Sequence, residues 1–475
     1  MRMWAQSLLI CRRSPRRHSV MAAAFAFILL IVVGASPRAS ALPAFARKYG
    51  LRCSACHESW PMLNFFGQKF KDNGYQLMND RDAPIWQNPG YWPVTFRITP
   101  IWHRVSTNKV ATDQSLSGEQ KITSSGFDLS GLDFHTGGTL EKNFSFYVLP
   151  SSDPTASFHF ETVMARLDNI GSSPWLNVKF GKFELDNLLS EKRILTLTGN
   201  GGIYQLYHFI PANDGNIFGQ MGDNQLGVEV MGHSANDRTR YSVSLLSSND
   251  GQVGLPYGAE SYSTFITGSQ AFDAGKLGVD RLGFYVMAGE APTSWLTGPS
   301  GGGPNGVIPG SGGNNRGYSR EGFVGQFYFG PHIDATVVTQ HGEDSAWFGQ
   351  GYGDYADGMA PNNYVPGVSA LPAGSRNPTW NGVLIEPHYV VNPQMILLGR
   401  YETIRMSQQS TPGTPSNLGN ITSYTVGYRY NPFMTSRAGF AYHGEYNWWH
   451  QDGTAPDNTT NLTSSELLFG IDFDF

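Results

Sequence analysis

From Val94 onward the sequence alternates in period two, segment after segment, and this limits what the chain can fold into. In VTFRITPIWHRV, Val94, Phe96, Ile98 and Trp102 fall on one face and Thr95, Arg97, Thr99 and His103 on the other. The alternation recurs at residues 144–148, 175–180, 225–232, 241–246, 321–329 and 423–430. Successive side chains of a strand point to opposite faces, so each segment reads as a strand with one apolar and one polar side.

The connections alternate between short and long. Short turns fall at Glu141-Lys142-Asn143, Gly171–Pro174, Ala235–Arg238, Gly330-Pro331, Asn392-Pro393 and Asn431-Pro432, and long polar loops near 106–123, 183–223, 289–318, 342–378 and 407–418. Sixteen strands are expected. The first eight lie near 94–105, 126–140, 143–150, 158–169, 174–182, 224–233, 238–247 and 259–272. The second eight lie near 279–288, 318–330, 331–341, 379–391, 394–406, 418–430, 433–446 and 464–475. An even count puts both barrel ends on the short-turn rim and every long loop on the other, as in outer-membrane barrels. In the last segment, SSELLFGIDFDF, Leu467, Phe469, Ile471, Phe473 and Phe475 alternate with polar or small residues apart from Leu468. This resembles the C-terminal signal of bacterial outer-membrane proteins, which ends on an aromatic residue. A soluble sandwich or soluble barrel is the competing reading. It does not call for bulky apolar residues on strand after strand, whereas lipid does, and a closed barrel leaves no backbone unpaired in lipid.

Residues 1–41 are expected to be a signal peptide. Arg12, Arg13, Arg16 and Arg17 form a basic region, Ala22 to Gly34 an apolar run, and Ala39-Ser40-Ala41 a cleavage site. The run falls short of the ~20 residues of a spanning helix, and the arginine pairs make no twin-arginine pattern. Removing residues 1–41 takes away six Arg and no acidic residue, moving the net charge from -5 to -11. Such an acidic chain argues against nucleic acid as a partner.

Of the three cysteines, Cys11 leaves with that leader. Cys53 and Cys56 remain in RCSACHESW, where with His57 they form C-x-x-C-H, the attachment signature of a c-type haem. Two thiols one helical turn apart take the vinyl groups, and His57 then ligates the iron from the proximal side. A disulfide between the two thiols would need no following His, and a thioredoxin-like reading wants a βαβ context that does not follow. Leu63, Phe65, Phe66 and Phe70 recur at helical spacing, suited to a porphyrin edge or to ordinary helix core. Pro84, Pro89 and Pro93 close the segment. Some 50 residues, 42 to 92, make a marginal core, so the segment is expected to lean on the rest of the chain.

The expected organisation is a signal peptide (1–41), a monohaem cytochrome c plug (42–92) and an outer-membrane β-barrel (93–475). The fold class is an all-β transmembrane barrel of about 16 antiparallel strands with a small N-terminal α-helical haem segment. Candidates for the distal iron ligand are Met78, whose thioether would raise the potential, and His103 on the lumen face of the first strand. Met62, five residues past His57, is poorly placed to reach the opposite haem face. His135, His388, Glu386, His443, Glu445 and Lys179 read as ordinary lumen polarity. Asp344, Asp354 and Asp357 are loop acids without the spacing of a fixed metal site, and the 183–223 loop is expected to fold inward as porin constriction loops do.

The stretch LPAFARKYGLRCSACHESWPMLNFFGQKFKDNGYQL (42–77) resembles the head of the fused monohaem cytochrome–porins of the bacterial outer membrane. The Pro-Ala-Phe-Ala-Arg lead-in, the haem motif, Leu-x-x-Phe-Gly and Phe-Lys-x-x-Gly-Tyr carry the likeness. LNVKFGKFELDNLLSEKR (176–193) resembles the family's early barrel strand. The best-studied members oxidise iron. The resemblance therefore implies an iron:cytochrome c oxidoreductase in the Gram-negative outer membrane, with haem c as cofactor. Extracellular Fe(II) would be the donor and a periplasmic c-type cytochrome the acceptor. The competing expectations are a solute porin with a structural or sensory haem, and a conduit for another donor or acceptor. There is no G-x-S-x-G, H-E-x-x-H or Walker A motif.

Overall fold

The computed structural model describes residues 44–59, 62–79, 82–87, 93–111, 119–152, 158–185, 224–247, 262–291, 316–345, 376–407, 420–434, 438–452 and 461–474. Residues 1–41, most of the 183–223 loop, Asp354, Asp357 and Phe475 lie outside the described residues.

A small head comes first: α1 (Ala44–Tyr49), α2 (Cys53–Cys56), β1 (His57–Ser59), β2 (Met62–Leu63) and α3 (Phe65–Asp72). Sixteen barrel strands follow. They are β3 (Val94–Ala111), β4 (Glu119–Glu141), β5 (Phe144–Ser152), β6 (Phe158–Leu167), β7 (Asn177–Glu184), β8 (Asn224–His233), β9 (Thr239–Ser247) and β10 (Tyr262–Asp273). The circuit continues through β11 (Val279–Ala291), β12 (Arg316–Tyr328), β13 (Ile333–Asp344), β14 (Thr379–Asn392), β15 (Met395–Met406), β16 (Ile421–Met434), β17 (Gly439–Gln451) and β18 (Leu462–Asp474). Each strand pairs antiparallel with its sequence neighbours, and β18 pairs with β3 to close the barrel. Closure leaves no unpaired edge.

All sixteen strands lie where the alternation places them, with two informative differences. β3 and β4 run deep into the expected 106–123 loop. Hydroxyl pairs knit that extension together, Ser106 with Thr123 at 3.0 Å and Thr107 with Ser464 at 2.9 Å. A reading of apolar periodicity does not register such polar rungs. The turn expected at Asn431-Pro432 is instead a register shift inside β16, between Tyr430 and Phe433. Pro432 has no N–H to give the ladder, so pairing breaks there and resumes at Phe433.

The faces are inverted relative to a soluble protein. Val228, Val243, Leu245, Phe284, Val426 and Phe469 are exposed on the outside, while Glu229, Ser244, Glu386, His388, His443 and Glu445 are buried toward the lumen. Leu468, the one break in the final alternation, is buried on the lumen side opposite His103. Buried charge is paired: Lys179 with Glu229 at 2.9 Å, and His388 between Asp334 at 2.7 Å and Glu386 at 2.9 Å. No helix among the described residues is long and apolar enough to cross a membrane.

The head is held inside the barrel at the short-turn rim by contacts from all sides. The Ala44 amide donates to Thr95 at 3.0 Å, the Arg47 guanidinium to the Val94 carbonyl, and Lys48 to Thr139 at 3.1 Å, all at the ends of β3 and β4. Across the lumen, the Tyr328 hydroxyl at the end of β12 donates to Glu58 at 2.8 Å. Asn431 of β16 donates to Ser59 at 3.2 Å. The C-terminus of α3 meets β6 and β9. Arg166 donates to the Lys71 and Asp72 carbonyls, each at 2.8 Å, at the negative end of the helix. Arg240 reaches both Asp72 carboxylate oxygens, Nη2 donating to Oδ1 at 2.8 Å and Nε lying 2.7 Å from Oδ2. The segment too small for its own core thus uses the barrel wall as its other half.

Candidate functional site

The site starts from the one-turn helix α2, which sets Cys53 and Cys56 one turn apart, followed at once by His57 in β1. Asn64 fixes this turn to the next helix. Its side chain accepts from the Gly67 amide at 2.9 Å as the N-cap of α3 and donates to the Ala55 carbonyl at 3.0 Å. Its backbone amide donates to the Cys56 carbonyl at 2.9 Å. Gly67 permits the approach, because a Cβ there would sit 2.1 Å from the Cys56 carbonyl oxygen. The Phe-Gly of the sequence is therefore a packing requirement of the haem motif.

Cys53, Cys56 and His57 line a cavity of about 210 Å³. Aromatic residues of the head form one side. Phe45 stacks on Tyr75 with ring centroids 4.7 Å apart, and Phe70 meets Phe45 and Tyr49 edge-on at 5.5 and 5.3 Å. The barrel supplies the other side through Tyr147 of β5, Met164 of β6 and Phe183 of β7, with Phe440 and Ala441 of β17. Cys53 and Cys56 are free thiols, not joined to each other. Burial, followed by the neighbouring Asp474 and Cys56 charges, pushes the Cys53 thiol up to about 12. Burial pushes Cys56 up to about 11. Both are therefore neutral thiols at neutral pH, facing a largely apolar space.

This donor set fits the group that the motif implies. Two thiols at attachment spacing and an imidazole beside them face a cavity walled by rings. Cys53 and Cys56 would hold a c-type haem by thioethers and His57 would ligate its iron. Among the described residues no cluster of three or more His, Cys, Asp or Glu forms a bare metal-ion centre.

The other expected residues are distributed unevenly. Leu63 and Phe70 line the cavity, as do His135 and Lys179 from the lumen group. Phe65 and Phe66 are exposed and do not line it. Met78 does not line it either: it lies half exposed after a turn in which Gly74, Tyr75 and Met78 all take positive φ. His103 faces the lumen as expected, but its Nδ1 lies 3.7 Å from Glu466, away from the cavity. Met62 is fully buried against Ile396 and Leu398 on the barrel wall. Sequence reasoning did not single out Met164, Tyr147 and Phe183. The available signal was an apolar side chain on the lumen face of strands that otherwise put polar groups there.

No protein-family model matches the chain, and no curated protein matches it in sequence. Solved structures match in fold. An anion-selective porin from Comamonas acidovorans superposes with a TM-score of 0.50 at 11% identity, over 80% of this chain and 98% of that one. OmpT, an outer-membrane protein of Vibrio cholerae, gives a TM-score of 0.46 at 10% identity, over 80% and 97% of the two chains. The outer-membrane channel DcaP of Acinetobacter baumannii gives 0.45 at 10% identity, over 80% and 96%. This chain has the fold of the 16-stranded outer-membrane porins.

Proposed function

We propose that the protein is an electron conduit of the Gram-negative outer membrane, passing single electrons from an extracellular donor to a periplasmic c-type cytochrome. The observation that carries this reading is the placement of Cys53, Cys56 and His57 on a cavity closed jointly by the head and the barrel wall. Such a cavity fits a redox group kept from water inside the membrane. Ferrous iron is the donor that the family resemblance points to.

The hydrocarbon layer is ~25 Å thick, and a bound haem c supplies the one-electron carrier within it. The chain's own residues do the rest. Cys53 and Cys56 fix the group, His57 ligates it, and the Phe45, Tyr49, Phe70 and Tyr75 rings exclude water. The lock of Arg166 and Arg240 on the end of α3 keeps the head from leaving the lumen. No bond in a substrate is made or broken, so the protein's contribution is position and potential.

A second reading, a solute porin with a structural or sensory haem, draws support from the shared fold with an anion-selective porin. Proteoliposomes separate the two. With Fe(II) supplied outside, the conduit predicts rapid reduction of the haem bands and little solute leakage. Reduction by dithionite but not by Fe(II) would remove iron as donor. Large conductance together with slow reduction by every external donor would establish the porin reading instead.

A further inference from the structure

We infer that Met164 of the barrel wall is the distal ligand of the haem iron, an inference that rests on the haem reading above. The cavity has two opposed sides. The attachment turn is held by β12 and β16: the Tyr328 hydroxyl donates to Glu58 at 2.8 Å and Asn431 to Ser59 at 3.2 Å. Going round the barrel, β18 is followed by β3, β4, β5 and β6, and Met164 sits on β6. β6 lies eight strands from β14, midway between β12 and β16, which is half of the sixteen-strand circuit. A sixth ligand must come from the side away from His57, which is where β6 stands.

The lining groups able to ligate iron narrow quickly. Lys71 is paired with Glu184 at 3.3 Å and Lys179 with Glu229 at 2.9 Å. The Tyr49 hydroxyl donates to Asp82 at 2.8 Å. His135 is tied through Nδ1 to the Tyr147 hydroxyl at 2.5 Å, and its Nε2 lies 4.0 Å from the Asp133 carboxylate. Met164 remains: a soft thioether on the lumen face between Thr162 and Arg166, where the strand otherwise carries polar groups. Its cross-strand partners are Tyr147 and Gly181. Gly181 takes a φ of 119°, which suits glycine, and puts no side chain beside Met164. A thioether needs no hydrogen bond in this apolar setting and is a good ligand for haem iron.

The test uses the full-length holoprotein matured with haem c. Met164→Leu keeps the side-chain volume and removes the sulfur. The expected result is loss of the sulfur-to-iron charge-transfer band and conversion of the ferric spectrum from low to high spin. The variant should also bind added imidazole at the vacated position and show a lower midpoint potential. His135→Ala and Met78→Leu should retain the charge-transfer band. A Met164→Leu spectrum identical to wild type overturns the assignment, as does loss of the band in His135→Ala alone. Haem staining on a denaturing gel separates the failures. Stained protein with an unaltered Met164→Leu spectrum defeats only the ligand assignment. Unstained wild-type protein defeats the haem reading and this inference with it.

Discussion

Neutralising Asp72 should loosen the head inside the barrel by an amount that follows from the contacts. The Asp72 carboxylate faces Arg240 at 2.7 and 2.8 Å and accepts from Gln68 at 2.9 Å, and both ion-pair partners are almost fully buried. Asp72→Asn keeps the shape but leaves the Arg240 guanidinium buried beside an amide. Removing one partner of a buried pair costs roughly 3–5 kcal/mol. Asp237 reduces that cost. Burial and then the Asp72 charge push its carboxyl up to about 8, against the pull of Arg240 and Arg281. Without the Asp72 charge, Asp237 ionises more readily and takes over part of the pairing, so the lower end, about 3 kcal/mol, is expected. At 1.4 kcal/mol per decade this is about a hundredfold larger population with α3 undocked. Planar-bilayer recording reads it as brief open-pore events rare in the wild type, and limited proteolysis as faster cutting within 44–87. Asp72→Asn/Asp237→Asn, without the substitute charge, should exceed the single variant. Conductance and proteolysis indistinguishable from wild type in both variants would refute the claim that this ion pair holds the head in place.

Other expectations follow from single contacts. Gly67→Ala places a Cβ against the Cys56 carbonyl and should cost about 1–3 kcal/mol of overpacking, read as a lower yield of covalently attached haem by pyridine haemochrome. Cys53→Ala/Cys56→Ala should abolish haem staining yet leave the heat-modifiable gel mobility of a folded barrel, since both cysteines belong to α2 and not to a barrel strand. Asp237 binds its proton more tightly folded, near 8, than at its ordinary 3.8. Its contribution is therefore complete below pH 4 and is lost as pH rises through 8; melting curves should fall across that window, with a shallower fall in Asp237→Asn. His388→Leu leaves Asp334 and Glu386 buried without their shared imidazole. It should destabilise the barrel by roughly 3–5 kcal/mol, measured as a lower temperature of gel-mobility conversion.

The barrel could be read from sequence because a strand has only two faces and lipid accepts only one kind of side chain. Val228 beside Glu229, or Phe469 beside Leu468 and Gly470, fixes both the strand and its orientation. The extension of β3 and β4 was not legible, because hydroxyl rungs such as Ser106–Thr123 carry no apolar signal. The grouping of Cys53, Cys56 and His57 was legible because the C-x-x-C-H spacing is local, and all three line one cavity. The wall of their cavity was not, since Tyr147, Met164 and Phe183 come from three strands that only the register brings together. Met78 lies off this cavity for a related reason. Gly74, Tyr75 and Met78 itself are left-handed, and the side chain ends up half exposed.

The closure of β18 onto β3 has a consequence for assembly. The cavity is bordered by Thr95 near the start of the first strand and by Asp474 at the end of the last. Thr99 bonds to Asp472 at 3.1 Å across 373 positions of sequence. The cavity therefore has no shape until the seam has zipped, and a head carrying the proposed haem would offer the two edges a common surface to close upon. On that reading cofactor retention and membrane insertion would be one cooperative transition: damage at the seam would be felt at the attachment turn, and an empty head at the seam.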